Sequence, residues 1–243
     1  MTGTLSVVAT PIGNLADITF RAVEVLKNAD AILCEDTRVT GKLLKHYEIS
    51  NKLISYHANS KLSKSDEILE MLAEGKHLAL VSDAGTPTIS DPGVHLINLV
   101  HDQNEKNILD NTQEVGEDAR VNNVVIESIP GPTALIAALS LSGFSGNQFT
   151  FFGFIPHKKG RETLFKEIAG HDKISIAYES PHRIIKTLES LVEHLDESRE
   201  VVIARELTKM YEQTIHGSAQ EVLVYFTDHP EKIKGEFVII INI

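Results

Sequence analysis

Four stretches of this chain combine glycine and proline with hydroxyl or acidic side chains, and each follows a short apolar run. They are Thr10-Pro11-Ile12-Gly13-Asn14-Leu15, Glu35-Asp36-Thr37-Arg38, Asp83-Ala84-Gly85-Thr86-Pro87-Thr88-Ile89-Ser90-Asp91-Pro92-Gly93 and Ile129-Pro130-Gly131-Pro132-Thr133. Glycine lets backbone approach a ligand closely, and proline pre-orders a loop that would otherwise lose entropy on binding. Any one of them reads as a turn between strand and helix, but four at one sheet edge point to a binding site. The chemistry is narrowed by what is missing. There is no phosphate loop ending in Gly-Lys-Ser/Thr, Asp83-Ala84-Gly85-Thr86-Pro87 does not match GxGxxG, and neither HExxH nor GxSxG occurs. Cys34 is the single cysteine, which excludes an intrachain disulfide framework and any multi-cysteine metal site, and no metal is expected. The pattern predicts an organic cofactor gripped by loops.

Those loops need strands to carry them. β-Branched, apolar runs predict strands at Leu5–Ala9, Ala31–Cys34, Leu53–Tyr56, Leu78–Ser82 and Val124–Ser128. Between them, 19–28 starts at a capping threonine with Ala22, Val23, Val25 and Leu26 on one face, and 65–74 is stopped by Gly75. Strands this uniformly apolar, alternating with helices, call for a mainly parallel sheet covered on both faces. This predicts an N-terminal α/β domain over 1–143. The alternation continues with strands at 149–154, 174–178, 201–204 and 237–241 and helices near 161–169, 182–194 and 219–226, so a second α/β domain with a mixed sheet is expected over 148–243. The small, polar residues 142–147 are the expected linker, and the cofactor is expected in a cleft between the domains. Residues 101–123 hold six acids against Lys106 and Arg120, with little apolar periodicity, and read as a solvated inserted loop.

Charge and targeting signals bound the partners. The formal net charge is −11, from 23 basic and 34 acidic residues, so any nucleic-acid contact must be a local basic patch. The first nine residues lack the basic region of a signal peptide, and no apolar run is long enough to span a bilayer. A cytoplasmic protein without membrane contact is expected.

The four stretches, together with Phe152-Gly153-Phe154-Ile155-Pro156, Tyr178-Glu179-Ser180-Pro181-His182-Arg183, Ala204-Arg205-Glu206-Leu207-Thr208-Lys209 and Lys234-Gly235-Glu236-Phe237, resemble the tetrapyrrole methylase superfamily. Within it they are most similar to the bacterial branch that methylates the 2′-oxygen of a cytidine in 16S ribosomal RNA. The resemblance runs in order through nearly the whole chain. It implies two α/β domains, S-adenosylmethionine as cofactor, a homodimer, and the small ribosomal subunit as substrate. Carried over motif by motif, Pro11, Asp83, Gly85, Thr86, Ile129, Pro130, Thr133 and Tyr178 would bind the cofactor.

Methyl transfer from a sulfonium to a ribose hydroxyl needs two aligned reactants and a group able to take the hydroxyl proton. Glu35, Asp36, Asp91, Glu179 and Glu206 are the acids at the sheet edge, and Arg38 accompanies the first two. The catalytic expectation covers Glu35, Asp36, Arg38, Glu179 and Glu206. Glu35 and Asp36, if extended, point to opposite faces and cannot share a proton. Each acid is equally open to a cap or ion-pair role, Asp91 before Pro92-Gly93 as a cap and Arg38 as a partner of Glu35 or Asp36. For RNA the basic candidates are Lys158, Lys159, Arg161, Arg183, Arg205 and Lys209. Phe152 and Phe154 could stack a base or fill the core. Two other readings stay open: a methyltransferase acting on a tetrapyrrole or other small molecule, and a non-catalytic S-adenosylmethionine-binding protein.

Overall fold

The computed structural model describes residues 2–57, 60, 62–91, 93–113 and 123–243. It contains two compact units, Met1–Pro132 and Thr133–Ile243. In the first, the order is β1 (Thr4–Val8), α1 (Phe20–Asn28), β2 (Ala31–Cys34), α2 (Thr37–His46), β3 (Leu53–Ser55), α3 (Leu62–Ala73), β4 (His77–Val81), α4 (Gly93–Gln113) and β5 (Val125–Ile129). The five strands form one sheet in the order β3-β2-β4-β1-β5, parallel at every pairing.

Side-chain alternation explains why β2 is buried along its whole length. Ile32 and Cys34 point to the side where α1 and α2 bring Ala22, Leu26, Leu43 and Leu44. Ala31 and Leu33 point to the other side, against Ile68 and Leu72 of α3 and Leu96 and Val100 of α4. The strand order dictates this split. The chain moves one way across the sheet after β1 and β2 and the opposite way after β3 and β4, and crossovers of one hand then place α1 and α2 on one face and α3 and α4 on the other. Neighbouring β1 and β4 lead away in opposite directions, which makes their carboxyl ends the switch point where open α/β sheets take ligands.

The acidic stretch departs from expectation. Residues 101–113 are the continuation of α4, not a loop, while 114–122 lie outside the described residues. Leu96 and Val100, both 0% exposed, anchor the first turns, and a helix once nucleated adds further residues at little cost. Asn104 then pins the approach to β5, accepting from the Val124 N–H at 2.8 Å and donating to its carbonyl at 2.9 Å.

The second unit runs α5 (Ala134–Leu141), β6 (Phe149–Phe154), α6 (Arg161–Ala169), β7 (Ile174–Glu179), α7 (Ile184–His194), β8 (Glu200–Arg205), β9 (Gln213–Ser218), α8 (Ala219–Asp228) and β10 (Phe237–Ile241). Its sheet is mixed, in the order β6-β7-β10-β8-β9. β6 and β7 are parallel and the other pairings antiparallel. α6, α7 and α8 bury Phe165, Leu188 and Phe226 against Ala177, Ile203 and Ile239. α5 packs on β10, so residues 142–147 lie inside this unit and the division falls at Pro132 and Thr133. Among the described residues no helix is long and apolar enough to cross a membrane.

Candidate active site

The loops beyond β1, β2, β4 and β5 are tied to one another by backbone. Thr10 and Gly85 exchange both backbone hydrogen bonds, at 2.9 and 3.0 Å, a one-residue antiparallel bridge across the switch point. The Thr10 hydroxyl donates to the carbonyls of Ser82 and Gly85. Ala9 donates to Ile129 at 3.1 Å, and the Thr86 hydroxyl donates to Pro132 at 3.0 Å, which joins the β5 end. The Asp36 N–H donates to the Asp83 carboxylate at 3.0 Å and brings in the end of β2. Gly85 has φ +81° and lies where an added Cβ would be 3.4 Å from Ile12, so only glycine makes this turn without strain. Pro11, Asp83, Gly85, Thr86, Ile129 and Pro130 thus belong to one connected rim.

The acids of this unit have different fates. Asp36 caps α2 by accepting from the Arg38 N–H at 2.8 Å, and it also holds the Arg38 guanidinium. Those side-chain and backbone bonds pull its pKa down to about 2. Asp91 accepts from Thr88 N at 2.6 Å and Gly93 N at 3.1 Å, the local capping role. It pins a loop in which Thr88 and Ser90 take φ of 78° and 68°, strain of the kind that persists where surrounding bonds over-determine it. Glu35 points the other way, into a small pocket with Tyr56, Leu80, Ser82, Pro87, Asp91 and Gly93. Burial raises its pKa, and the charges of Asp83 and Asp91 raise it further.

In the second unit Tyr178, at the end of β7, accepts the Leu135 N–H at 3.1 Å and so serves a first-turn amide of α5 that its N-cap Thr133 leaves unbonded. Burial pushes its phenol pKa up, and Phe151 and Phe154 set their rings edge-on to it. Glu179 is 1% exposed and fully engaged. It accepts from Ser180 N and the Thr187 hydroxyl, both at 2.7 Å, and it pairs with Arg183 at 2.7 Å and Arg161 at 3.5 Å. Glu206, at φ 50°, accepts from Lys209 at 2.9 Å and from Glu236 N at 3.2 Å. Burial pushes its pKa up, but those bonds outweigh burial and leave it lowered. Gly235 has φ +83°, a left-handed conformation that favours glycine, and a Cβ there would displace the Glu206 carboxylate.

Several expected roles change on this geometry. Glu179 is a structural acid bonded through both oxygens, and Glu206 is tied through Oε1 to Lys209 and the Glu236 N–H. Arg161 and Arg205 are not surface cations: both are buried. Arg161 bonds Thr187, and Arg205 donates to the carbonyls of Tyr211 and Lys234. Arg183 is drawn in by Glu179 and the Ile155 carbonyl, and Lys209 is shared between Glu206 and Glu236. Lys158 and Lys159 stay exposed in the loop before α6. Phe152 packs on the core, whereas Phe154 is 57% exposed.

Residues 4–223 match the family model of tetrapyrrole (corrin/porphyrin) methylases. The chain belongs to that family. It is 44% identical over 242 residues to the ribosomal RNA small subunit methyltransferase I of Escherichia coli O157:H7, covering 99% of this chain and 78% of that protein. The protein of the same name from Synechocystis sp. is 43% identical over 240 residues, covering 98% and 78% respectively. Among solved structures, the methyltransferase CobJ shares the fold with a TM-score of 0.66 at 20% identity, covering 99% of this chain and 94% of that one.

Three further residues of this tetrapyrrole methylase join the candidate site. Tyr56 lines the Glu35 pocket and His57 acts on the Glu35 charge. They follow β3 just as the four glycine- and proline-rich stretches follow theirs, but carry neither residue as a flag. Thr187 completes the Glu179 cluster. It is a hydroxyl on the buried face of α7 between Ile184, Leu188 and Leu191, and that placement was its signal. Among the described residues no group of three His, Cys, Asp or Glu side chains could hold a metal.

Proposed function

We propose that this chain is an S-adenosylmethionine-dependent methyltransferase that modifies the 2′-oxygen of a cytidine in 16S ribosomal RNA of the small ribosomal subunit. The observation that carries the reading is its identity of more than 40%, over nearly its whole length, with ribosomal RNA small subunit methyltransferases I. The laced strand-end loops support it, because they offer close backbone and small hydroxyls at the switch point and no phosphate loop, which suits an organic cofactor without phosphates. Pro11, Asp83, Gly85, Thr86, Ile129 and Pro130 would hold it, and the resemblance assigns Thr133 and Tyr178 to the same task. S-adenosylmethionine supplies an electrophilic methyl group on a sulfonium. The protein's own work is to hold the hydroxyl in line with that methyl and to exclude competing water. Lys158 and Lys159 supply the exposed cations for a phosphate backbone. A cytoplasmic homodimer is the working form that the resemblance implies.

The test is incubation of the purified chain with methyl-labelled S-adenosylmethionine and small subunits lacking the modification, followed by mapping of the label. Alkali-resistant label at a single cytidine ribose is the expected result. Cofactor binding without transfer to any subunit would overturn the reading and favour a small-molecule acceptor or a non-catalytic role.

A further inference from the structure

We propose that Glu35 is the general base of this reaction, the residue that takes the proton of the attacking ribose hydroxyl. The inference rests on the function proposed above. It stands on position and on elimination. Glu35 directly follows β2 and lines the pocket formed with Tyr56, Ser82, Pro87 and Asp91. Its neighbour Asp36 makes the backbone bond to Asp83 that ties this strand end to the loop bearing Gly85 and Thr86. Among the described residues, no hydrogen bond or ion pair holds the Glu35 carboxylate. Every other candidate acid is engaged: Asp36 by α2 and Arg38, Asp91 by Thr88 and Gly93, Glu179 by two arginines, Glu206 by Lys209. A base must have a free lone pair aimed at its substrate; Asp91 and Glu206 are each held through one oxygen, Asp36 and Glu179 through both, and among these acids Glu35 alone keeps both oxygens available.

The surroundings tune it. Burial raises its pKa, Asp83 and Asp91 from the loop after β4 add repulsion, His57 beyond β3 offsets part of this, and adjacent Asp36 adds a little more. A carboxylate shifted upward is a stronger proton acceptor near neutral pH. The step balances as follows. The hydroxyl O–H bond breaks and its proton passes to Glu35 while the oxygen forms a bond to the methyl carbon. The carbon–sulfur bond breaks, and its electron pair stays on sulfur, which becomes a neutral thioether. Glu35 ends as a carboxylic acid and returns its proton to water.

The working form is the carboxylate, so turnover is present above the folded-state pKa of Glu35 and is lost as pH falls through it. Because that pKa is raised, the loss sets in at a higher pH than an ordinary glutamate would give. The experiment measures kcat against pH, with saturating labelled S-adenosylmethionine and unmodified small subunits, for the parent, Glu35→Gln and Glu35→Asp, and measures cofactor Kd for each by equilibrium dialysis. Glu35→Gln should bind the cofactor within about twofold of the parent, lose kcat by roughly 10²- to 10⁴-fold, and lack the acid limb of the profile. Glu35→Asp should keep the limb with partial activity. Glu35→Gln should also melt no lower than the parent at pH 7, since it removes a desolvated and repelled charge, and any loss of rate is then not a loss of fold. Parental kcat in Glu35→Gln, or an unchanged acid limb, overturns Glu35 as the base. Absence of transfer by the parent chain itself would instead overturn the reaction, and the role of Glu35 with it.

Discussion

What an acid can do depends on what already occupies its lone pairs, and the second unit offers the clearest contrast to Glu35. Glu179 is enclosed with Arg161, Arg183 and Thr187, and together these fix the end of β7 beside Tyr178. Removing the carboxylate leaves Arg161 buried without its anionic partner, and uncompensated buried charge is among the few defects that cost several kcal/mol. Glu179→Ala should therefore lower unfolding free energy by about 3–5 kcal/mol, read as a reduced urea midpoint with an unchanged slope. A loss below about 1 kcal/mol would mean that the arginines find water or other acceptors once the acid is gone. The two glutamates thus separate by opposite responses. Replacing Glu179 damages the fold, whereas replacing Glu35 damages turnover and spares the fold.

Among the elements, legibility followed periodicity. β2 and β10 stand where their apolar runs predict, because strands buried on both faces leave an unbroken signal, and the half-buried edge strand β6 stands where its phenylalanine-rich run does. β9 leaves no apolar signal because its Gln213–Ser218 run is a polar edge strand, and the start of α2 is masked because its capping Asp36 also reads as a reactive acid. The outer turns of α4 look like loop in the sequence because solvated helix faces have no apolar stripe, and the buried Leu96 and Val100 anchor the helix from its first turns. At the site, the strand-end stretches announced the rim, but not which of its acids would be consumed by capping. Gly85 is the rim residue whose type is most tightly dictated. At φ +81° an alanine adopts a left-handed conformation costing about 1–2 kcal/mol, and its Cβ presses on Ile12. Gly85→Ala should lower Tm by roughly 2–8 °C and weaken cofactor binding as the Thr10 bridge is displaced. Calorimetry with and without S-adenosylmethionine checks both. An unchanged cofactor-induced rise in Tm would remove Gly85 from the cofactor rim.

For the whole molecule the governing quantity is the net charge of −11, which repels a polyanion at long range and leaves attraction to local cations. The structure reduces that local set. Of the six cations singled out in the sequence, Arg161 and Arg205 are buried, and Arg183 and Lys209 are committed to Glu179 and to Glu206 with Glu236. Lys158 and Lys159 remain exposed. They sit before Gly160, whose φ of +85° turns the chain into α6 with no side chain to obstruct a backbone running past. If these two lysines neutralise phosphates, each displaces counterions, and the logarithm of the binding constant falls with the logarithm of salt in proportion to the number of contacts. Lys158→Ala with Lys159→Ala should weaken RNA binding at low salt and reduce the magnitude of that slope by about 1–2. Neither lysine belongs to the strand-end rim, so the affinity for S-adenosylmethionine should not change. A slope equal to that of the parent would mean that the RNA is held elsewhere, against a surface whose overall charge opposes it.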